Sequence, residues 1–226
     1  MMTYIVVEGV SDEILLSQVL ANEIHQDALK VRAAGGESSA ISKARTLLAI
    51  KEFPVILWVD ADSYDDSTIT SKRGELAYLL SQAADESRYL VLLAKPTFEK
   101  YWLEVPDLRA EIVTNNQNDE AEAKYEPALL LQKFMRKKNI SAKALLRGKD
   151  LEPLRENEDF KKVLAFVKNQ ASIIGHVHSK AGALSSFNAH CSSLTKPSRT
   201  STPPGPAISF AAATPACARP PSTPQV

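Results

Sequence analysis

The chain has 226 residues, 44% of them apolar and 24% charged, with 27 basic residues against 27 acidic ones. This suits a globular protein with a substantial core and excludes collagen-like, fibrous or wholly disordered classes. Zero net charge supplies no bulk attraction to nucleic acid or an anionic surface, while leaving room for a local basic patch.

TYIVV (3–7) predicts a short strand that runs straight into Glu8 and Gly9. Ser11 is placed to cap a helix, with Asp12 and Glu13 in its first turn, where carboxylates suit the dipole. Leu15, Leu16, Val19 and Leu20 then recur at helical spacing to about Ile24. LKVRAA (29–34) reads as a second strand, ended by Gly35-Gly36. ESSAISKARTLLAIK (37–51) is helical, with Ile41, Ala44, Leu47 and Leu48 on one face and Lys43 and Arg45 off it. FPVILWV (53–59) is a continuous apolar run, the mark of a strand buried on both sides. The acidic loop DADSYDDS follows, then a helix near 71–86 and a fourth strand in RYLVLLA (88–94). Past residue 95 the pattern is mostly helical, over 97–104, 126–138, 141–147 and 158–170, with a polar connection at 115–126.

From residue 192 the chain holds eight of its thirteen prolines, three cations and no acid. It lacks periodicity and predicts a disordered tail, leaving a body of net charge −3. Two late cysteines, Cys191 and Cys217, fit a reducing cytoplasm better than a disulfide framework. Glu8 interrupts the first apolar run, so no signal peptide is expected, and no run reaches the roughly 18 residues of a membrane span. His176, His178, His190 and Cys191 match no closed zinc spacing.

Strand and helix alternate through residue 94, which predicts an α/β fold: a mainly parallel four-stranded sheet with helices on both faces, plus a mostly helical C-terminal extension. Ligands of such sheets bind beyond the carboxyl ends of the strands. Glu8 ends strand one, and Asp60 and Asp62 end strand three, where alternation along an extended chain points both aspartates to the same side. Carboxylates gathered at one edge would repel one another in a low-dielectric pocket. A bound Mg²⁺ or Mn²⁺ resolves that repulsion with hard oxygen ligands. The alternative is that Asp60 and Asp62 only open a turn and cap the next helix; their pairing with Glu8-Gly9 at the end of strand one favours the metal site.

VVEGVSDE (6–13) followed by WVDAD (58–62) resembles the Toprim domain shared by topoisomerases, primases and several nucleases, over about residues 3–100. The run Glu8-Gly9-Val10-Ser11-Asp12 is most like the overcoming-lysogenization-defect nucleases and the small Toprim proteins of bacterial anti-phage defence. The resemblance implies a Toprim domain over 1–100; helical pattern and the change of composition set off a mostly helical extension over 101–191 and the tail over 192–226. It implies that Glu8, Asp60 and Asp62 hold one ion. Asp12, standing where a glutamate is more usual, and Glu99 of KPTFEKYW (95–102) would serve a second. Lys180, ahead of a short helix in HVHSKAGALSSF (176–187), would stabilise developing negative charge. Gly35 and Gly36 would let substrate phosphate approach backbone N–H groups, or would only form a tight turn. Lys43 and Lys95, with Lys72 and Arg73, are candidate phosphate contacts.

The implied activity is a cytoplasmic, metal-dependent endonuclease acting on nucleic acid, with DNA favoured over RNA. Overcoming-lysogenization-defect nucleases carry an ATPase domain ahead of Toprim. This sequence holds no P-loop motif, so an ATPase, where needed, is expected as a separate subunit. Two other classes stay open. One is an interaction subunit whose site is idle or switched on by a partner. The other is an aspartyl-phosphate phosphotransfer domain, although Glu-Gly stands where receiver domains usually carry an acidic pair.

Overall fold

Four strands, β1 (Thr3–Val7), β2 (Leu29–Ala33), β3 (Val55–Asp60) and β4 (Tyr89–Ala94), pair in parallel in the order β2-β1-β3-β4. The computed structural model describes residues 2–185 apart from 22, 26, 115 and 116, with side chains as far as residue 172. Helices α1 (Val10–Leu20), α2 (Glu37–Ala49) and α3 (Asp66–Ser81) connect successive strands. Side chains alternate across the sheet with period two. Ile5 and Val7 of β1 and Ile56 and Trp58 of β3 pack with Leu15, Leu16 and Val19 of α1. Val6, Val55, Leu57 and Val59 pack on the other face with Ala44 and Leu48 of α2 and Leu76 and Leu80 of α3. The continuous apolar run of β3 is thus used on both faces, as expected of a central parallel strand.

The rest of the chain is helical: α4 (Lys100–Glu104), α5 (Pro106–Ile112), α6 (Gln117–Tyr125), α7 (Pro127–Lys138), α8 (Ala142–Leu145), α9 (Glu152–Arg155) and α10 (Glu158–Ser185). Its apolar residues join the core on the α1 side of the sheet. The Trp58 ring lies 5.2 Å from Phe98, 5.4 Å from Tyr101 and 5.1 Å from Phe160, all edge-on. The Tyr101 hydroxyl donates to Asp159 at 2.7 Å, and Arg155 Nε donates to the Val19 carbonyl at 3.2 Å. The expected α/β sheet with a helical extension is therefore the observed fold, with one core running from β3 to α10.

Several boundaries differ from the expectation for local reasons. Helix α1 starts at Val10 behind Gly9, so Ser11 lies inside its first turn and does not cap it. Asp12 reaches back instead, its Oδ2 accepting from the Gly9 N–H at 2.9 Å. Helix α3 starts at Asp66, ahead of the expected residue 71, because Asp65 caps it by accepting from the Thr68 N–H at 2.7 Å. The polar stretch 115–126 contains α6, which buries no residue and so shows no apolar period to read. Helix α10 runs on to Ser185 and takes in residues 176–185 of the separate element expected at 176–187, the last two lying outside the described residues. Among the described residues, no helix is long and apolar enough to cross a membrane. The segment from residue 192 and the His190-Cys191 pair lie outside the described residues.

Candidate metal centre

The strand order places a topological switch point between β1 and β3, since the chain winds outward from β1 to β2 and then back past it to β3 and β4. Open α/β sheets form a crevice at such a point. Glu8 leaves β1 there and Asp60 ends β3 there. The Glu8 carbonyl accepts from the Gly35 N–H at 2.9 Å and the Gly36 N–H at 3.2 Å. Its Oε1 accepts from the Asp60 N–H at 2.9 Å, which ties the side chain at the end of one strand to the backbone at the end of its neighbour. The approach at Gly9 is tight: a Cβ there would stand 3.0 Å from Asp12 Oδ2, which would have to yield by a few tenths of an ångström.

The acids divide between the two faces of the sheet. On the α1 side stand Asp12, Asp60 and Glu99. Burial raises the Asp60 carboxyl to about 8, and the charges of Glu99, Glu8 and Asp12 push it the same way. Asp12, 5% exposed, is raised to about 6 by burial, opposed by the Gly9 N–H and reinforced by Glu99 and Glu8. Burial also raises Glu8, against the Asp60 N–H and with the charges of Glu37 and Asp62. Asp60 Oδ1 accepts from the Phe98 N–H at 2.7 Å. Asp60 Oδ2, Glu8 Oε2 and the Glu99 carboxylate accept no hydrogen bond from any described residue. Partly buried carboxylate oxygens without donors are the chemistry that fits a hard divalent cation. As the side chains stand, no three such groups among the described residues close round a single ion.

On the α2–α3 side stand Glu37, Asp62 and Lys72. The expected alternation that would carry Asp62 to the same side as Asp60 ends with β3 at Asp60. Asp62 has φ 52°, in the left-handed region, so its side chain turns away. It meets Lys72, whose Nζ lies 3.2 Å from Asp62 Oδ2 and 3.2 Å from Glu37 Oε2. Burial pulls the Lys72 ammonium down, but its hydrogen bonds to Asp62 and Glu37 win and raise it, so it stays charged. Glu8 lies between the two groups and feels both.

The expected phosphate contacts are placed otherwise. The N–H groups of Gly35 and Gly36 are taken by the Glu8 carbonyl and do not face an incoming phosphate. Lys43 donates to the Ala33 carbonyl at 2.6 Å, closing α2 onto the end of β2. Lys95 pairs with Asp66 at 2.6 Å. Lys180 falls on α10, its side chain outside the described residues. Glu99 is paired with neither Lys95 nor Lys100; the latter lies 4.0 Å from Asp159. Sequence reading missed Glu37 as a member of the rim. Glu13 stands in the first turn of α1 as expected, but its bond to β2 was not foreseen: its Oε2 accepts from the Ala33 N–H at 2.7 Å and pins β2 to α1. Two cavities open beside the rim. One, of about 350 Å³, is lined by Asp62, Pro96, Thr97 and the exposed Tyr64 and Tyr125, whose rings are 5.9 Å apart. The other, of about 470 Å³, is lined by Ser11, Glu99 and the side of α7. Only an acid-by-acid account of distances could have found Glu37, since it follows a glycine turn with no motif of its own.

No family model matches the chain, and no curated protein matches it. Among solved structures, the C-terminal region of the Burkholderia pseudomallei OLD protein is similar at 19% identity and TM-score 0.50, covering 74% of this chain and 97% of that one. The C-terminal region of the Xanthomonas campestris pv. campestris OLD protein is similar at 17% identity and TM-score 0.47, covering 78% of this chain and 96% of that one. At such identity the likeness is one of fold. The share matched to the Burkholderia structure exceeds residues 3–100, so the common fold runs on into the helical extension.

Proposed function

We propose that this chain, with the Toprim-like fold of an OLD C-terminal region, is a divalent-metal-dependent nuclease that hydrolyses phosphodiester bonds of nucleic acid. The observation that carries the reading is that Glu8 and Asp60, joined at the switch point by the Asp60 N–H on Glu8 Oε1, stand within electrostatic reach of Asp12 and Glu99, with Asp60 Oδ2, Glu8 Oε2 and the Glu99 carboxylate left without donors among the described residues. Such a set is costly to keep unless a cation offsets it. Glu8, Asp60, Asp12 and Glu99 would hold the first Mg²⁺ or Mn²⁺. Asp62 and Glu37, with Glu8, would hold a second on the other face of the sheet. A bound ion would supply Lewis acidity and neutralise charge at the phosphodiester.

The chain's own residues prepare the site. The Gly35-Gly36 turn fixes the Glu8 backbone, and the Asp60 and Phe98 N–H groups orient the two carboxylates. Lys72 holds Asp62 and Glu37 together while it is their counter-charge. DNA as the favoured substrate, a cytoplasmic setting and a separate ATPase subunit complete the proposal.

The test is cleavage of duplex DNA, single-stranded DNA and RNA in Mg²⁺ or Mn²⁺ by the wild type and by Glu8→Gln. We expect the variant to be slower by at least about a hundredfold, the scale on which loss of even a metal's supporting partners is felt. It should melt within a few degrees of the wild type. Cleavage that survives in the variant, or in excess chelator, refutes the reading.

A further inference from the structure

The balanced total charge conceals a segregation. Residues 133–149 contain seven lysines and arginines and no acid. Two of the seven are paired: Lys133 lies 2.7 Å from Glu122, and Lys149 pairs with Glu111. Arg136, Lys137 and Lys138 close α7, Lys143 lies on α8, and Arg147 follows it. All five are exposed, and none forms an ion pair with a described residue. Cations in the last turn of α7 answer its dipole. That accounts for three of them, but not for Lys143 and Arg147 in the next element, nor for the absence of any acid between.

Position gives the patch its meaning. Ala128 and Leu129, in the first turn of α7, line both cavities beside the rim, the one with Asp62 and the one with Glu99. Gln132 and Met135 continue the second cavity along the helix. At 1.5 Å per residue, Arg136 stands about 10 Å beyond Leu129, the rise of roughly three nucleotides along one strand. Helix α7 therefore has one end at the carboxylates and the other in cations without an ion pair among the described residues. Of these, Lys137 and Lys138 border a cavity that Glu111, Asp119 and Glu122 also line, and Lys138 lies 6.0 Å from the Phe134 ring centroid. A bilayer surface fits the patch poorly. Phe134 and Met135 are half-buried against the core, and none of the exposed large apolar residues falls in 133–149.

We infer that the exposed cations of α7 and α8 form a binding track for the sugar–phosphate backbone of a nucleic-acid strand that reaches the carboxylate rim along α7. The inference rests on the nuclease reading for its direction, but the surface can be tested apart from cleavage. The full chain, with Ca²⁺ in place of Mg²⁺, is titrated against a labelled DNA duplex and its single strand across a salt series. The variants are Arg136→Gln/Lys137→Gln/Lys138→Gln and Lys143→Gln/Arg147→Gln. A control, Lys30→Gln/Arg45→Gln/Lys51→Gln, removes three cations from edge strand β2, from α2 and from the connection that follows it.

Each track variant is expected to weaken binding by about tenfold or more at low salt. Each should also flatten the dependence of log affinity on log salt by about 0.9 per lost duplex contact, or about 0.7 per lost single-strand contact. The control should change neither. In parallel, metal-dependent hydrolysis of bis(p-nitrophenyl) phosphate, too small to touch the track, should be the same in all four proteins. Unchanged affinity and salt slope in both track variants overturn the track. So does wild-type binding to anionic vesicles or to an acidic polypeptide with none to nucleic acid. If polymer binding falls as expected while no protein hydrolyses any diester, the track stands and the nuclease reading fails.

Discussion

Asp60 is where burial and like charge act in the same direction, and its behaviour with pH follows from that. A carboxyl moved from 3.8 to about 8 on folding binds its proton more tightly in the folded chain than in the unfolded one. Its contribution to stability is therefore whole below about pH 4 and is lost as pH rises through about 8. Asp12, raised to about 6, adds to the loss over the lower part of that window. The carboxylates titrate as a coupled set, so the proton belongs to the group and not to Asp60 alone. In chelator, the wild type should lose melting temperature from pH 5 to pH 8.5 more steeply than Asp60→Asn, whose side-chain oxygen can still accept from Phe98. Mg²⁺ added at the upper pH should raise the wild type and leave the variant nearly unmoved. Parallel pH profiles for the two proteins would remove the account of the rim given above.

At the scale of the element, two glycines with open space around them make opposite demands. No atom lies within 4 Å of a Cβ built on Gly36 or on Gly74. Gly36 has φ 121° and ψ 165°, a conformation essentially closed to other residues, in the turn that delivers two N–H groups to the Glu8 carbonyl. Gly74 sits exposed within α3, where a missing Cβ only adds freedom to the unfolded chain. Gly36→Ala should cost about 1–3 kcal/mol in urea unfolding. Gly74→Ala should add up to about 1 kcal/mol. Equal effects at the two positions would mean that the turn is not held as described. The Gly35-Gly36 turn was legible as a turn from sequence. Its service to Glu8 was not, because the partner carbonyl is far off in the chain and arrives only when β1 and β2 pair.

At the scale of the whole molecule, Trp58 joins the sheet to the helical extension. It is fully buried on β3 and meets Phe98, Tyr101 and Phe160 edge-on. Trp58→Ala should cost about 3–5 kcal/mol, the usual range for removing a large buried aromatic. Because the same core holds β3 and α10, the wild type should unfold in one transition, with far-ultraviolet circular dichroism and tryptophan fluorescence coincident. A separate early loss of helix would show that sheet and extension are two independent units.

The sequence by itself determined the four strands and the helices between them, though not every boundary, because those depend on apolar period and on glycine, both local properties. It placed Glu8 and Asp60 at carboxyl ends of strands for the same reason. Tertiary structure alone decided which acids share a face. The order β2-β1-β3-β4 sets β1 beside β3, and the left-handed backbone at Asp62 sends that residue to Lys72 and Glu37 while Asp60 joins Asp12 and Glu99. Electrostatic coupling falls with distance in space, and no spacing along a chain encodes that distance until the sheet has chosen its neighbours.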